Sequence, residues 1–372
     1  MEPADHFMQQ ALALARRAVG LSEPNPRVGC LIVAADGRRV LGEGHTQQRG
    51  QAHAEIMALR DAAAKGHSVA GATAYVTLEP CSHHGHTGPC SDALVAAGIG
   101  RLVAALPDPN PLVGGQGLDR VRAAGIEVVT GPGAAESREL NIGFFSRMLR
   151  QTPWVRMKIA ASLDGKTALD NGSSQWITSE PARADGHAWR ARAGAVLTGI
   201  GTLLEDNPRL DVRHVAAARQ PDAVVVDSRL ETPLDANIFM PGRRLFIYTA
   251  TADAPRRAAL EGRGATVICL PGPEGKVDLA AMLRDLGERE VNELHVEAGH
   301  KLNGSLIRED LVDEWLVYLA PKLVGQGRGM AHFGPLADLA GAVALEFLSA
   351  DRIGPDLRLV ARSPGRDRFI RR

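Results

Sequence analysis

His53-Ala54-Glu55, Pro80-Cys81 and Pro89-Cys90 set one imidazole, two thiols and one carboxyl in a short stretch of chain. An imidazole and two thiolates are three protein ligands of the kind Zn2+ prefers, and a set of three leaves the fourth tetrahedral position open for a water. On the metal the pKa of that water falls to about 7, so it is hydroxide at neutral pH. Glu55, two residues beyond His53, need not bind the metal, because a carboxylate there can move the proton from the water to a leaving group. The candidate metal ligands are therefore His53, Cys81 and Cys90, and the candidate catalytic residue is Glu55.

His-x-Glu followed by Pro-Cys and a second Cys is the signature of zinc nucleobase deaminases. Two residues usually separate the cysteines, whereas here Ser82 to Pro89 intervene and bring His83, His84 and His86. Two readings of those histidines stand. They line a loop that covers the site, or they supply further ligands. A fourth ligand would close the site into a structural one and leave Glu55 without a role.

The elements that must position these groups can be read from pattern. Asp5 is a plausible N-cap for a helix with Phe7, Ala11, Leu14 and Ala18 at helical spacing, stopped by Gly20. Pro24-Asn25-Pro26 leads into a strand, and Asp36-Gly37 turns it into a second, a hairpin signal. A helix over 53–65 ends at Gly66, a strand over 74–78 delivers Pro80-Cys81, and a helix from about Ser91 ends at Gly98 before a strand over 101–106. His53 and Cys90 thus stand at helix starts, where the dipole should favour the Cys90 thiolate. Alternation of strand and helix predicts a largely parallel sheet with helices on its faces. A helix over 118–124, a strand over 126–130 and a helix over 136–150 complete a first domain, and Thr152-Pro153 breaks the pattern. The boundaries expected are 1–147 and 153–372.

The second half is again α/β, with strands over 154–160, 195–198, 223–227, 245–249, 266–270 and 294–296 and helices over 180–193 and near Leu302. Gly199-Ile200-Gly201-Thr202 follows a strand, but Leu204 stands where a dinucleotide fingerprint requires its third glycine. Glu297-Ala298-Gly299-His300-Lys301-Leu302-Asn303-Gly304-Ser305 is a better phosphate site, since a strand end, two glycines and a helix start present free N–H groups. A plain strand-to-helix turn is the other reading. The basic end, 366–372, reads as a solvated tail.

Composition bounds the partners. With 372 residues the chain splits into two domains, and 43 Lys and Arg balance 43 Asp and Glu. Zero net charge and 4% aromatics argue against nucleic acid and anionic membrane, so the expected substrate is small. Two of the four cysteines belong to the metal motif, leaving Cys30 and Cys269 and no disulfide framework. No basic, apolar leader and no run near the ~18 apolar residues of a membrane span appear, so a cytoplasmic protein is expected.

The motifs together resemble a family. Pro24-Asn25-Pro26-x-Val28-Gly29-Cys30, His53-Ala54-Glu55, Thr77-Leu78-Glu79-Pro80-Cys81-Ser82-His83-His84-Gly85 and Pro89-Cys90 resemble the bifunctional riboflavin-biosynthesis deaminase/reductase. Ala161-Ser162-Leu163-Asp164-Gly165-Lys166, Ser174-Gln175-Trp176-Ile177-Thr178-Ser179, Val296-Glu297-Ala298-Gly299 and Ala320-Pro321-Lys322-Leu323 extend the match over nearly the whole chain. The long interval between the cysteines is also that family's.

The resemblance implies a cytidine-deaminase-like three-layer α/β/α domain followed by a dihydrofolate-reductase-like α/β domain that uses NADPH. It implies deamination of a diamino phosphoribosyl pyrimidine and then reduction of its ribosyl group to ribityl, by a homo-oligomer. By matching motifs it puts NADPH on Ala160, Trp176, Thr202, Asp206, Ser228, Gly299, His300, Lys301, Leu302, Asn303, Gly304 and Ser305. Substrate falls on Ser174, Arg190, Leu210, Arg213 and Glu297. Two arginines suit a bidentate grip on the ribose phosphate, and Trp176 offers a flat apolar wall. Without the resemblance Arg190 is a polar helix position and Trp176 a core aromatic. Rival readings are a free-nucleoside or tRNA deaminase with an accessory domain, and a zinc-stabilised nucleotide sensor. Neither would oxidise NADPH.

Overall fold

The computed structural model describes residues 3–82, 88–111 and 113–370, so His83, His84 and His86 lie outside the described residues. The chain divides into two compact units, residues 1–150 and 151–372.

The first unit opens with helix α1 (Pro3–Arg16), strands β1 (Gly29–Val33) and β2 (Val40–His45), and α2 (Ala54–Ala64). Strand β3 (Thr73–Val76), α3 (Cys90–Ala96), β4 (Arg101–Ala104), α4 (Gln116–Ala123) and β5 (Glu127–Thr130) follow, then α5 (Ala134–Leu140) and α6 (Ile142–Arg150). The sheet order is β2-β1-β3-β4-β5. It is more mixed than alternation predicts: β1 runs antiparallel to both β2 and β3, and only β3-β4-β5 are parallel. The hairpin at Asp36-Gly37 reverses the chain before the first helical crossover, which accounts for the difference.

Two glycines show that the sheet is covered on both faces. A Cβ on Gly29 would lie 1.9 Å from the Ala11 carbonyl oxygen of α1, and one on Gly44 would lie 2.4 Å from the Ala54 carbonyl oxygen of α2. Gly44 pairs with Cys30, the neighbour of Gly29 in β1, and adjacent residues of a strand point to opposite faces. Helices α1 and α2 therefore pack on opposite sides, giving three layers. Alanines Ala54, Ala58 and Ala62 of α2 are fully or almost fully buried and have side chains short enough for this approach.

Three expectations for this unit change. Asp5 lies inside the first turn of α1, because the helix already starts at Pro3. The predicted helix over 136–150 is two helices broken at Asn141. The Asn141 amide accepts the Arg27 N–H at 2.7 Å and donates to the Arg27 carbonyl at 3.0 Å, a backbone-like pairing that holds the residue out of helical geometry. Helix α3 starts one residue earlier than expected, at Cys90 itself, with Pro89 as N-cap.

In the second unit come β6 (Trp154–Ser162), β7 (Lys166–Ala168), α7 (Glu180–Arg192), β8 (Ala195–Gly199), α8 (Ile200–Asp206) and β9 (Asp222–Val226). Next are β10 (Leu245–Thr249), α9 (Ala254–Gly262), β11 (Ala265–Cys269), α10 (Leu279–Glu288), β12 (Glu293–Val296) and α11 (His300–Arg308). Strands β13 (Glu314–Ala320), β14 (Arg328–Gly329), β15 (Glu346–Ile353) and β16 (Asp356–Arg362) close the chain. The main sheet has the order β11-β10-β9-β8-β12-β6-β13-β16-β15. All neighbours from β11 to β13 are parallel, and β16 and β15 add an antiparallel edge. Central strands are buried on both faces. Along β8, Ala195 and Leu197 enter one core while Val196 enters another.

Among the described residues, the basic stretch 366–370 is not a solvated tail. Arg366 donates to Asp313 at 2.7 Å and to Asp310 at 2.8 Å, and Ile370 is buried. A charge run read one residue at a time hides the acidic partners that lie more than fifty positions upstream.

The contact between α2 and β2 supplies a first test. Gly44→Ala forces a methyl group against the helix backbone, and overpacking of this kind costs about 1–3 kcal/mol. Denaturant unfolding should show a loss of that size in the first unit. Unchanged stability would mean that the helix can move off the sheet without penalty.

Candidate metal and reductase sites

His53 is the N-cap of α2, in an extended conformation with ψ 170°. Its Nδ1 is 3.6 Å from the Cys81 sulfur and 3.5 Å from the Cys90 sulfur. Two donors at tetrahedral angles on one zinc, with bonds of about 2.3 Å to sulfur and about 2.0–2.1 Å to nitrogen, stand roughly 3.5–3.6 Å apart, so the set fits that ion. Among the described residues this is the one group of three such side chains whose ligand atoms all fall within 4.8 Å.

Strand direction brings them together. Strand β3 ends where antiparallel β1 begins, with Thr77 N–H on the Gly29 carbonyl at 3.0 Å, and the chain then runs through Pro80 to Cys81. The Cys90 N–H, free at the start of α3, donates to the Cys81 sulfur at 3.4 Å. The helix start therefore favours the Cys81 thiolate, whereas the sequence suggested Cys90, because the backbone N–H points at the neighbouring sulfur. A hydrogen bond from Cys90, and then His53, holds Cys81 down to about 4 despite burial. The Cys90 thiol is pushed up, by Cys81 first and then by burial.

Glu55 sits in the first turn of α2, 3% exposed. Burial pushes its carboxyl up to about 7, helped by the negative charge on Cys81. Beside such a ligand set this group can take a proton and give it up again near neutral pH.

In the second unit, parallel strands bring most of the candidate residues to one sheet edge. Ala160 lies near the end of β6, Thr202 and Asp206 are on α8 after β8, and Ser228 is just past β9. Glu297 follows β12, Gly299 caps α11, and His300, Lys301, Leu302, Asn303, Gly304 and Ser305 are in that helix. The two turns touch: a Cβ on Gly299 would meet the Thr202 hydroxyl at 3.4 Å, and one on Gly199 would meet Leu302 at 3.2 Å. The first intrahelical bond of α11 is Asn303 N–H to the Gly299 carbonyl, so the N–H groups of His300, Lys301 and Leu302 precede it. The Asn303 amide turns instead to the Met330 carbonyl at 3.0 Å, and Gly304 packs against the backbone of His332.

Arg190 is 8% exposed and forks onto Glu297 at 2.7 and 2.9 Å, with a further bond to the Asp211 carbonyl. Burial alone would raise the Glu297 carboxyl; Arg190 and then Lys158 outweigh it and hold the group well below the usual carboxylate range. Arg190 thus serves Glu297 and the loop carrying Leu210, while the Arg213 side chain is 47% exposed, with one bond to Asp211 at 2.8 Å. Sequence reasoning missed His187. Burial and then Arg190 and Arg213 push it down to about 3, so it is neutral, and its Nδ1 accepts the Arg213 N–H at 3.3 Å. Ser174 and Trp176 are on the connection from β7 to α7. Trp176 is 60% exposed with Arg183 4.5 Å over its ring, so it is not a core aromatic.

Residues 1–106 match the family model for the cytidine and deoxycytidylate deaminase zinc-binding region, and residues 153–359 match that for the RibD C-terminal domain. The riboflavin biosynthesis protein RibD of Escherichia coli (strain K12) is 42% identical, over 95% of this chain and 98% of that protein. That of Aquifex aeolicus is 38% identical, over 95% and 96%. A solved structure of Acinetobacter baumannii RibD superimposes with a TM-score of 0.88 at 38% identity, covering 97% of this chain and 99% of that one. The Thermotoga maritima diaminohydroxyphosphoribosylaminopyrimidine deaminase/5-amino-6-(5-phosphoribosylamino)uracil reductase does so with 0.84 at 31%, covering 97% and 99%. With both family models matched in order and relatives aligned along almost all of their length, the chain belongs to the RibD family of riboflavin biosynthesis proteins, bifunctional enzymes that join a zinc-binding deaminase domain to a reductase domain.

Proposed function

We propose that residues 1–147 deaminate diaminohydroxyphosphoribosylaminopyrimidine and that residues 153–372 then reduce the ribosyl group of 5-amino-6-(5-phosphoribosylamino)uracil to ribityl. The observation that carries this reading is the convergence of His53, Cys81 and Cys90 beside the buried carboxyl of Glu55. Zinc, which those three side chains would hold, would supply Lewis-acid activation of the attacking water. Glu55 takes the proton released as that water adds to the amine-bearing ring carbon. It then delivers a proton to the amino group, and the carbon–nitrogen bond breaks to release ammonia.

In the reductase, NADPH supplies the hydride. The N–H groups that open α11 would hold its diphosphate, with Gly299 leaving room for close approach, and Ala160, Trp176, Thr202, Asp206 and Ser228 would complete the cofactor site. Arg213 pairs with the ribose phosphate. Arg190 and Glu297 fix the substrate loop that carries Leu210, and Ser174 completes the substrate contacts. The enzyme acts in the cytoplasm as a homo-oligomer on a small molecule, without nucleic acid or membrane. No helix among the described residues is long and apolar enough to cross a membrane.

Incubation of the zinc-loaded protein with the diamino phosphoribosyl pyrimidine and NADPH tests the reading. Ammonia should appear first and NADPH oxidation should follow in equal amount; ammonia without NADPH oxidation would remove the reductase half. Glu55→Gln should keep one zinc per chain while the deamination rate falls by roughly 10²-fold or more. Loss of zinc in that variant would make Glu55 a ligand. Gly299→Val should raise the NADPH constant and leave ammonia release untouched. Arg213→Ala should instead raise the substrate constant, by the equivalent of about 1.5–3 kcal/mol for a charge-assisted contact. Reductase kinetics on both variants would separate cofactor from substrate, and an unchanged NADPH constant in Gly299→Val would make that turn purely structural.

A further inference from the structure

Glu79 stands two residues before the zinc ligand Cys81 and is 5% exposed. Its carboxylate accepts four backbone hydrogen bonds and donates none: Asp108 at 2.9 Å and Gly115 at 2.8 Å on Oε2, Gly117 at 2.7 Å and Leu118 at 3.3 Å on Oε1. Gly117 and Leu118 are in the first turn of α4, whose N-cap Gly115 has no side chain to satisfy those donors. A carboxylate from a distant strand end therefore caps the helix. The cap lies hard against the ligand-bearing chain, since a Cβ on Gly117 would be 1.9 Å from the Pro80 carbonyl oxygen. The Glu79 N–H is itself fixed, on the Leu106 carbonyl at 3.0 Å.

The chain is thus held by backbone and side chain at Glu79, abutted at Pro80, and then presents the Cys81 sulfur to the metal. We propose that Glu79 is a positioning residue for zinc: by tying the end of β3 to the start of α4 it fixes the direction in which Cys81 leaves the sheet. Its side chain is committed to four backbone N–H groups and is not a member of the ligand set. The argument rests on the His53, Cys81 and Cys90 site described above. Groups that orient a metal ligand in this way change affinity by about 10–100-fold when removed.

Glu79→Gln tests it. An amide offers one acceptor oxygen, so its NH2 group must face two of the four N–H donors. Competition with a chromogenic chelator should give a zinc dissociation constant about 10–100-fold above wild type. The thiolate-to-metal absorption of the Co2+-substituted protein should change as well, and NADPH oxidation on pre-deaminated substrate should not. Glu79→Asp keeps the charge but is one methylene shorter, and should fall between the two; should Glu79→Gln fail to fold, the same comparison is made on Glu79→Asp. A folded variant with a lower melting temperature but wild-type zinc affinity and Co2+ spectrum would overturn the proposal and leave Glu79 as a helix cap only. Because zinc affinity is read without substrate, this outcome is independent of whether the wild-type protein deaminates the proposed pyrimidine.

Discussion

Helix α2 meets β2 backbone to backbone at Gly44, and the first unit's chemistry depends on that contact. Because no side chain separates the two, the helix start lies low on the sheet, and His53 at the N-cap comes within 3.5–3.6 Å of both sulfurs. The same approach buries Glu55 in the first turn of the helix, where desolvation lifts its carboxyl to about 7. A helix raised by a few ångströms would leave the histidine short of the sulfurs and the glutamate in water. The small alanines on the buried side of α2 and the glycine opposite them are one structural device.

The second unit solves a different problem, since it carries charges inside. Beneath α7, Arg156 is paired with Glu293 at 2.8 Å and with Glu314, and Arg362 joins Glu314 while Arg192 joins Glu293 at 2.8 Å. The two glutamates are 1% and 2% exposed. Each carboxylate has two guanidinium partners, the condition under which buried charge is tolerable; removing one partner would strand the other. Glu293 and His295 share one face of β12, two residues apart, and Glu297 stands one residue past the strand end. There Glu297 takes Arg190, and Arg190 takes the loop at Asp211. The interior network and the anchor of the candidate substrate loop thus stand at the two ends of one strand.

How far the sequence reveals this follows from how local each signal is. The metal set is legible because few residue types bind zinc and their order is distinctive, and the division at 150/151 lies beside Pro153, which cannot continue a helix. Most strands of the second unit read correctly as short apolar runs, being buried on both faces. Hairpin β15–β16 was not visible, since β15 is exposed along most of its length and lacks a clean apolar alternation. Asn141 breaks a helix by pairing with Arg27, and Glu79 caps a helix whose start is 36 or more positions away; neither partner can be found by looking along the chain. The side-chain commitment of Arg190 to Glu297 was hidden for the same reason.

The central claim is a zinc held by one imidazole and two thiolates with its fourth position left to exchangeable solvent. Zinc K-edge X-ray absorption on the loaded protein measures it most directly. The account predicts two sulfur scatterers at about 2.3 Å and two light scatterers at about 2.0–2.1 Å, one of them with the outer-shell pattern of imidazole. A single sulfur, or a third one recruited from Cys30 or Cys269, would contradict it.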